Sequence, residues 1–458
     1  MKFSQLDVDL ITKYNVNGPR YTSYPTALQF GSLSSAEYKQ AVADSVYKDR
    51  DLSLYFHLPF CNTICYYCAC NKIVTKDKSR AAHYLELLKL EIDQQAPLFT
   101  GRKVSQLHWG GGTPTFLNDG EIKELMDAIT NHFSMTSDEL GEFSIEVDPR
   151  TVDPARIGML RETGFNRLSM GIQDFNPDVQ KAVNRLQSVE DTTNVIQAAR
   201  VHGFRSISVD LMYGLPHQTT ETVSRTLEEV IKLDPDRISI YNYAHLPERF
   251  KSQRRIDALE VPSAATKLEL LILCISRLHD AGYVYIGMDH FAKPDDELAI
   301  AQRKGTLHRN FQGYSTFADC DLIAMGITGI SSVGNFFAQN TKDLEAYEKL
   351  IRGGNLATEK GVSVDEDDQI RRAVIMQLIC QFELDYDAFD QRFNFSFEQY
   401  FANEIRALND LALDGLLSID NRHIKISPVG RLLSRNICMI FDRYINQQTD
   451  NQRFSKAI

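Results

Sequence analysis

Short apolar stretches alternate with longer amphipathic stretches from about residue 52 onward. Six of the apolar stretches have the length and composition of strands, and they occupy residues 53–58, 104–109, 143–147, 167–172, 206–211 and 237–243. Helical patterns lie between them, for example at 81–95, 121–133 and 195–203. Strands that alternate with helices indicate repeated βαβ units around a parallel sheet. The sequence therefore predicts an α/β fold, a barrel or an incomplete barrel of six units.

Polar and glycine-rich segments recur where the predicted strands end. Four cysteines follow the first strand, GGGTP at 110–114 follows the second, and Glu146 lies on the third. Gln173 follows the fourth strand, and Asp210 lies near the end of the fifth. In barrels of this type the chemistry gathers at the carboxyl ends of the strands. Core packing alone does not place polar residues so regularly at one edge, so we predict a functional site there.

The segments on either side of the predicted barrel have a different character. An irregular arm, NGPRYTSYPTALQF, precedes it, and the C-terminal part is mainly helical. Helices are predicted near 367–381, 386–393 and 397–414, before a hairpin and helix over 415–433, an order that resembles a winged helix. The predicted division is an N-terminal arm at 1–35, a catalytic barrel with its connecting region at 36–345, and a helical domain at 346–458.

The charge balance and the lack of long apolar runs restrict the function further. The chain has 50 basic and 61 acidic side chains, a formal net charge of −11. Nucleic-acid binding usually rests on a basic surface, so a DNA-binding regulator built on the winged-helix-like region is disfavoured. The first residues lack the apolar core of a secretion signal, and the LLILCI run at 270–275 is too short to span a bilayer. We therefore expect a cytoplasmic protein.

Cys61, Cys65, Cys68 and Cys70 lie within ten positions and allow three kinds of site. A disulfide is disfavoured because disulfides are rare in the cytoplasm. Zinc sites usually use four ligands, commonly in two separated pairs, and no second CxxC pair appears later in the chain. Three thiolates suit a four-iron cluster in which one iron lacks a protein ligand. Spacing alone favours the cluster and leaves zinc open.

Several motifs together resemble one known family. CNTICYYC has the CxxxCxxC spacing of radical S-adenosylmethionine (SAM) enzymes. From about residue 12 into the C-terminal region, the chain resembles the oxygen-independent coproporphyrinogen III oxidase (dehydrogenase) family in the motifs PRYTSYPTA, YFHLPFCNTICYYCACNK, HWGGGTPTFL, IEVDPR, RLSMGIQDF, VNRLQ, DLMYGLP and NFQGYST. The resemblance implies an incomplete TIM-like barrel of the radical SAM type, with an N-terminal arm and a winged-helix-like C-terminal domain.

The resemblance also implies an activity. A [4Fe–4S] cluster would cleave SAM to a 5′-deoxyadenosyl radical, which takes a hydrogen from a propionate side chain of the substrate. Loss of carbon dioxide and one electron then leaves a vinyl group. Two such events convert coproporphyrinogen III to protoporphyrinogen IX in haem biosynthesis. The implied partners are coproporphyrinogen III and an electron donor such as flavodoxin or ferredoxin, for a monomer that binds neither nucleic acid nor membrane.

The family's site residues carry over by position. Cys61, Cys65 and Cys68 would ligate three irons, and SAM would chelate the fourth. Two SAM molecules are implied. The positions that match those around the first are Tyr55, Gly111 and Glu146. The positions that match those around the second are Tyr67, Gly112, Thr113, Gln173, Arg185, Asp210, Ala244 and Ile330.

Two further residues are candidates for the chemistry itself. Cys70 would position or protonate a reacting group, and His57 would hydrogen-bond a cluster sulfur or cap the loop. Some positions have a structural alternative, since Asp210 could pair with Arg205 and Arg185 could be a surface charge. The rival function is a related haem-trafficking protein that binds porphyrin without turnover. Such relatives lack the PRYTSYP arm and carry an aromatic residue in place of Cys70, which favours the enzyme.

Overall fold

The computed structural model describes residues 8–445 and Phe454, which pack into two compact units. The barrel unit comprises Phe30–Leu270 and Asp319–Ser363. The second unit comprises the described parts of Met1–Gln29, Leu271–Ala318 and Val364–Ile458. Because each unit joins segments that are far apart in the chain, packing does not test the division into arm, catalytic and C-terminal segments, which stays a prediction.

The six predicted strands form the parallel sheet of the barrel unit in chain order. They are Leu52–Leu58 (β1), Lys103–Gly111 (β2), Glu142–Val147 (β3), Arg167–Gln173 (β4), Ser206–Tyr213 (β5) and Arg237–Asn242 (β6). The register aligns Tyr55 with His108, and Gly171 with Asp210. Because every strand runs in the same direction, the carboxyl ends of neighbouring strands meet at one edge of the sheet. The incomplete barrel expected from the sequence is confirmed.

Helices connect these strands, and their ends follow local sequence signals. They are Ser79–Gln95 (α1), Asp119–His132 (α2), Pro154–Glu162 (α3), Pro177–Ala182 (α4), Val189–Val201 (α5) and Thr220–Leu233 (α6). The side chain of Thr219 accepts a hydrogen bond from the backbone N–H of Thr222 and starts α6, which buries Val223, Leu227 and Val230. The spacing of three and four residues places these apolar side chains on one helical face.

A seventh parallel strand lies beside β1 and was missed by the sequence analysis. Asp321–Met325 (β7) is buried throughout and pairs in parallel with β1 on the side opposite β2. An antiparallel extension follows, made of Ile330–Val333 (β8), Phe336–Asn340 (β9) and Thr358–Ser363 (β10). Only a connecting region was predicted here, because a short apolar run without an alternating pattern does not distinguish a buried strand from other core segments.

Other elements complete the barrel unit. Helices Ser35–Asp44 and Leu344–Arg352 lie outside the six repeats, and Gly31–Ser32 pairs with β10. The two-residue strand Phe60–Cys61, directly after β1, pairs with Ile73–Val74. This small sheet brackets the cysteine loop, defined here as residues 61–70.

The second unit is mainly helical. Its helices include Val8–Tyr14, Glu297–Arg303, Glu366–Gln381, Tyr386–Phe393, Phe397–Tyr400, Ala402–Leu413, Pro428–Leu432 and Ser434–Ile440. Its strands are the pairs Val284–Gly287 with His290–Ala292 and His308–Asn310 with Gly313–Ser315, and the three-stranded sheet of Glu383–Asp385, Leu417–Asp420 and His423–Ile426. The predicted hairpin and following helix are present.

Local chemistry explains two features of this unit. Asn421 and Arg422 both have positive φ, at 47° and 64°, as a two-residue hairpin turn requires. The arm's Tyr21 and Tyr24 are buried in the unit's core, and the Tyr21 hydroxyl donates to Asp442 at 3.0 Å. The PRYTSYP segment is therefore a packing element of the second unit. Among the described residues, every helix is too short or too polar to cross a bilayer.

Candidate active site

A cavity of about 380 Å³ lies in the barrel unit, where β1 to β5 end or approach their ends. The cysteine loop, the turn after β2 and residues of β3, β4 and β5 line it. The predicted site residues among its lining are Cys61, Cys65, Tyr67, Cys68, Cys70, Gly111, Gly112, Thr113, Glu146, Gln173, Arg185 and Asp210. Segments spread over some 150 residues of sequence therefore meet around one space.

Hydrogen bonds from neighbouring segments hold the backbone of the cysteine loop. The carbonyl of Tyr67 accepts from Gln253 Nε2 at 3.1 Å. The carbonyl of Cys68 accepts from Ser252 Oγ at 3.1 Å and from Lys72 Nζ at 3.0 Å. Because side chains outside the loop satisfy these carbonyls, the loop has a fixed path while its thiols line the cavity.

The loop's thiols meet donors suited to sulfur ligands. Thr113 Oγ1 donates to Cys61 Sγ at 3.6 Å, and Arg185 Nη1 donates to Cys65 Sγ at 3.7 Å. All four cysteines of the loop are free thiols. Thiolates are the usual ligands of iron–sulfur clusters, and hydrogen bonds to their sulfurs tune such clusters. The donor set therefore fits a cluster better than a disulfide.

The glycines at the end of β2 and directly after it are required by contacts within the protein. A Cβ added at Gly111, whose φ is +108°, would lie 2.5 Å from the His57 ring. A Cβ at Gly112 would lie 2.6 Å from the carbonyl carbon of Pro59. Both glycines also line the cavity, so only their backbone can contact a ligand. The family resemblance places both glycines beside SAM; the structure adds close packing against His57 of β1 and against Pro59, which precedes the cysteine loop.

Glu146, on β3, is held by two groups of β2. Its carboxylate accepts from the Gly111 N–H at 3.3 Å and contacts His108 Nε2 at 3.2 Å. Since a carboxylate only accepts, His108 donates from Nε2, while its Nδ1 hydrogen-bonds the Ser144 hydroxyl. The Tyr55 ring stacks on His108, with centroids 5.8 Å apart. Gly111 and His108 thus orient the carboxylate, which is half-exposed and lines the cavity.

Arg185 is buried, so its interpretation as a surface charge is wrong. Only 8% of the residue is exposed. Its Nη2 donates to the Gly171 carbonyl at 2.5 Å, and its Nη1 lies 3.6 Å from Asp148 Oδ2. Its buried Nε has no hydrogen-bond partner. A buried guanidinium on the wall of a cavity, with one donor unused, fits an anionic ligand group such as a carboxylate.

Gln173 ends β4 in the left-handed region, with φ of 68°. The pairing of β4 with β5 shifts register between Gly171 and Gln173. A non-glycine residue in this conformation stores strain, which clusters at ligand-binding sites. This irregularity changes the direction of the backbone at the end of β4, where Gln173 lines the cavity.

Asp210 lies on β5 and faces several charged groups. Burial raises its pKa to about 7, and the negative charge of Glu146 adds to this rise. A hydrogen bond from Ser239 and the charges of Arg185 and His108 act in the opposite direction. The alternative partner, Arg205, donates instead to the carbonyls of Glu139 and Gly141. Asp210 therefore changes charge near neutral pH inside the cavity.

Four predicted site residues are not among those that line this cavity: Tyr55, His57, Ala244 and Ile330. Both ring nitrogens of His57 have protein partners, with Nε2 donating to the Asn71 carbonyl at 2.9 Å and Nδ1 lying 3.1 Å from the Tyr55 hydroxyl. Burial lowers the pKa of His57, which favours the neutral ring. This geometry favours capping of the loop over contact with a cluster. Ala244 is exposed, and Ile330 begins β8.

The sequence analysis missed several residues of the site. Asp148 accepts two hydrogen bonds from the Arg150 side chain, at 2.9 and 2.6 Å, and both residues line the cavity with Arg185. Lys72 also lines it, and His108 supports Glu146. Asp148 and Arg150 belong to the IEVDPR motif and Lys72 to CACNK, so motifs already identified in the sequence contain these residues. The motifs do not reveal which side chains they contact.

Comparison with known proteins places the chain in a family. The sequence profile of the radical SAM superfamily matches residues 55–230, and that of the HemN C-terminal domain matches residues 364–433. Oxygen-independent coproporphyrinogen III oxidases from Pseudomonas aeruginosa and Escherichia coli are each 50% identical to it. These alignments cover 99% and 100% of this chain and 98% and 100% of the relatives.

A solved structure leads to the same family. It is described as coproporphyrinogen III oxidase from Escherichia coli, a radical SAM enzyme. It superimposes with a TM-score of 0.91 at 49% identity, covering 96% of this chain and 99% of the other. With near-complete coverage on both sides, the chain belongs to the oxygen-independent coproporphyrinogen III oxidase family of the radical SAM superfamily.

Proposed function

We propose that this chain is a radical SAM enzyme that converts coproporphyrinogen III to protoporphyrinogen IX without oxygen. In each of two events a propionate side chain loses a hydrogen atom, carbon dioxide and one electron, and becomes a vinyl group. The observation that carries the proposal is the cavity, where the three-cysteine loop meets Glu146, Arg185 and Asp210. Full-length identity of 50% to relatives with this activity in their names supports the substrate.

The cysteine loop would hold the iron–sulfur cluster. Cys61, Cys65 and Cys68 would each ligate one iron of a [4Fe–4S] cluster and leave the fourth for SAM. When bound, the cluster and SAM supply the one-electron chemistry that starts hydrogen abstraction. The protein's part is to fix the thiols through the loop's anchored carbonyls and to donate to sulfur from Thr113 and Arg185. Cys70 stays outside the ligand set, since a fourth thiolate would occupy the iron that SAM needs.

The polar wall of the cavity would bind SAM. Glu146, held by Gly111 and His108, would accept from an amine or from ribose hydroxyls at the first site. Arg185 would bind the carboxylate of a second molecule from the cavity wall, and ionised Asp210 would attract its positive charge. Two SAM molecules per chain are part of this proposal, with Tyr67, Gly112, Thr113 and Gln173 as further contacts.

Other parts of the proposal concern the surroundings of the enzyme. We propose a cytoplasmic monomer that receives electrons from a flavodoxin or a ferredoxin. Tyr55, His57, Ala244 and Ile330 keep their proposed roles by family position, with His57 acting through the loop. The absence of a long apolar helix among the described residues is compatible with this location.

One experiment tests the activity. Anaerobically reconstituted protein would be incubated with SAM, a chemical reductant, coproporphyrinogen III and cell extract as electron acceptor. Mass spectrometry should then detect loss of two carbon dioxide masses per substrate, together with 5′-deoxyadenosine. The matched control is Cys68→Ala, which should yield neither product. Tight binding of intact substrate without turnover, despite a full cluster, would favour the haem-trafficking alternative.

A further inference from the structure

A short exposed segment beside the cysteine loop carries a concentration of positive charge. Residues 249–255, RFKSQRR, form the basic face, with cations at Arg249, Lys251, Arg254 and Arg255. All four are exposed, and the stretch contains no acidic residue, although Glu248 and Asp257 flank it. The chain as a whole has a net charge of −11, so this concentration runs against the general balance.

The same segment contacts the loop that would hold the cluster. Lys251–Arg255 is a short 3₁₀ helix whose second and third residues are buried, Ser252 at 7% and Gln253 at 1% exposure. Their side chains donate to the carbonyls of Cys68 and Tyr67, both at 3.1 Å. The segment therefore turns two side chains inward onto the cysteine loop and its cations outward to solvent.

Two further contacts tie the charges to the loop. The Arg255 guanidinium lies over the Tyr66 ring, 5.2 Å from its centroid. The Cys68 carbonyl that Ser252 contacts also accepts from Lys72 Nζ at 3.0 Å. The hydrogen bond from Ser252 to the Cys68 carbonyl thus links the basic face to the backbone of a proposed iron ligand. The basic face therefore lies directly against the loop that would hold the cluster.

We propose that the basic face, residues 249–255, is the docking surface for an acidic one-electron carrier protein that reduces the cluster. This inference rests on the proposed function, which requires an external electron. Complementary charge raises association rates by roughly 10 to 1,000-fold in steered encounters, and electron-transfer complexes have small interfaces. The basic face offers four exposed cations to an acidic partner, and its buried side chains contact the loop that would hold the cluster.

The test reverses charge on the basic face and leaves its buried anchors intact. The variant Lys251→Glu/Arg254→Glu/Arg255→Glu is compared with wild type for binding of oxidised flavodoxin and, separately, of a [2Fe–2S] ferredoxin, by calorimetry at low salt. We expect binding to weaken by about tenfold or more, and the loss to shrink above roughly 0.15 M salt, where screening is strong. The rate of cluster reduction by the reduced carrier should fall in parallel.

A matched variant separates local from general charge effects. Lys103→Glu/Lys123→Glu/Lys360→Glu changes the net charge equally at exposed positions elsewhere in the barrel unit. It should bind both carriers as wild type does. Equal losses in the two variants, or no binding of either carrier to wild type, would overturn the proposed docking surface. Turnover with a chemical reductant should persist in both variants; its absence in wild type would overturn the proposed function instead.

A second measurement needs no variant of the basic face. Zero-length cross-linking joins carboxylates of the bound carrier to nearby amines in the wild-type protein. Peptide mapping should find Lys251 joined to the carrier, and not Lys103, Lys123 or Lys360. Cross-links confined to those three lysines would refute the proposal even if the charge-reversal variant failed to fold.

Discussion

The pH dependence of SAM binding should reveal the protonation of Asp210. Burial, reinforced by the charge of Glu146, raises the pKa of Asp210 to about 7. SAM is cationic at its sulfonium, so bound SAM favours the ionised carboxylate and lowers that pKa. Binding below pH 7 must then release a proton, and the apparent affinity rises as pH increases.

The size of the effect follows from the pKa. A carboxyl with a pKa near 7 is ionised in ~9% of molecules at pH 6 and in ~91% at pH 8. The apparent affinity of the site that contains Asp210 should therefore increase by about tenfold between these values. Asp210→Asn should abolish this increase and weaken binding at pH 8 by ten- to a hundredfold, since a charge-assisted hydrogen bond contributes about 1.5–3 kcal/mol.

Calorimetry in two buffers with different ionisation heats measures both the affinity and the protons released. Asp178→Asn, at an exposed position of α4, is the matched control and should keep the wild-type profile. The amino group of SAM also titrates, so the informative quantity is the slope that Asp210→Asn removes. An unchanged slope in Asp210→Asn, or equal wild-type affinity at pH 6 and pH 8, would refute the reasoning.

Three other substitutions test separate parts of the site. Cys70→Ser should assemble a cluster of near-normal iron content with reduced turnover, whereas Cys68→Ala should lose iron. Iron and sulfide analysis measures this difference. Loss of iron in Cys70→Ser would overturn the three-ligand assignment. His108→Phe should keep the ring that stacks on Tyr55 but remove the hydrogen bond to Glu146, weakening SAM binding by several-fold at unchanged melting temperature. Unaltered binding would contradict the role of His108 in positioning Glu146. Gly112→Ala should destabilise folding by about 1–3 kcal/mol through overpacking, as measured by chemical denaturation, while Gly31→Ala, whose Cβ meets open space, should not.

Much of the fold was determined by local sequence pattern. The six parallel strands, their helices and the C-terminal hairpin depend on apolar periodicity and turn residues, which each segment carries within itself. The cysteine loop was equally local, since three thiols within eight positions already limit the ligand set. The gathering of polar residues at one edge followed from the common direction of parallel strands, which a βα repeat enforces.

Only the tertiary structure decided which distant side chains meet. Nothing near Arg185 in sequence indicates that it is buried against the Gly171 carbonyl and Asp148, and nothing near His108 indicates that it supports Glu146. The seventh strand, β7, was likewise invisible, because its partner β1 lies more than 250 residues earlier. Burial and hydrogen bonding depend on three-dimensional neighbours, and a local pattern does not encode them. The charge states and orientations of the site's residues are therefore properties of the folded barrel.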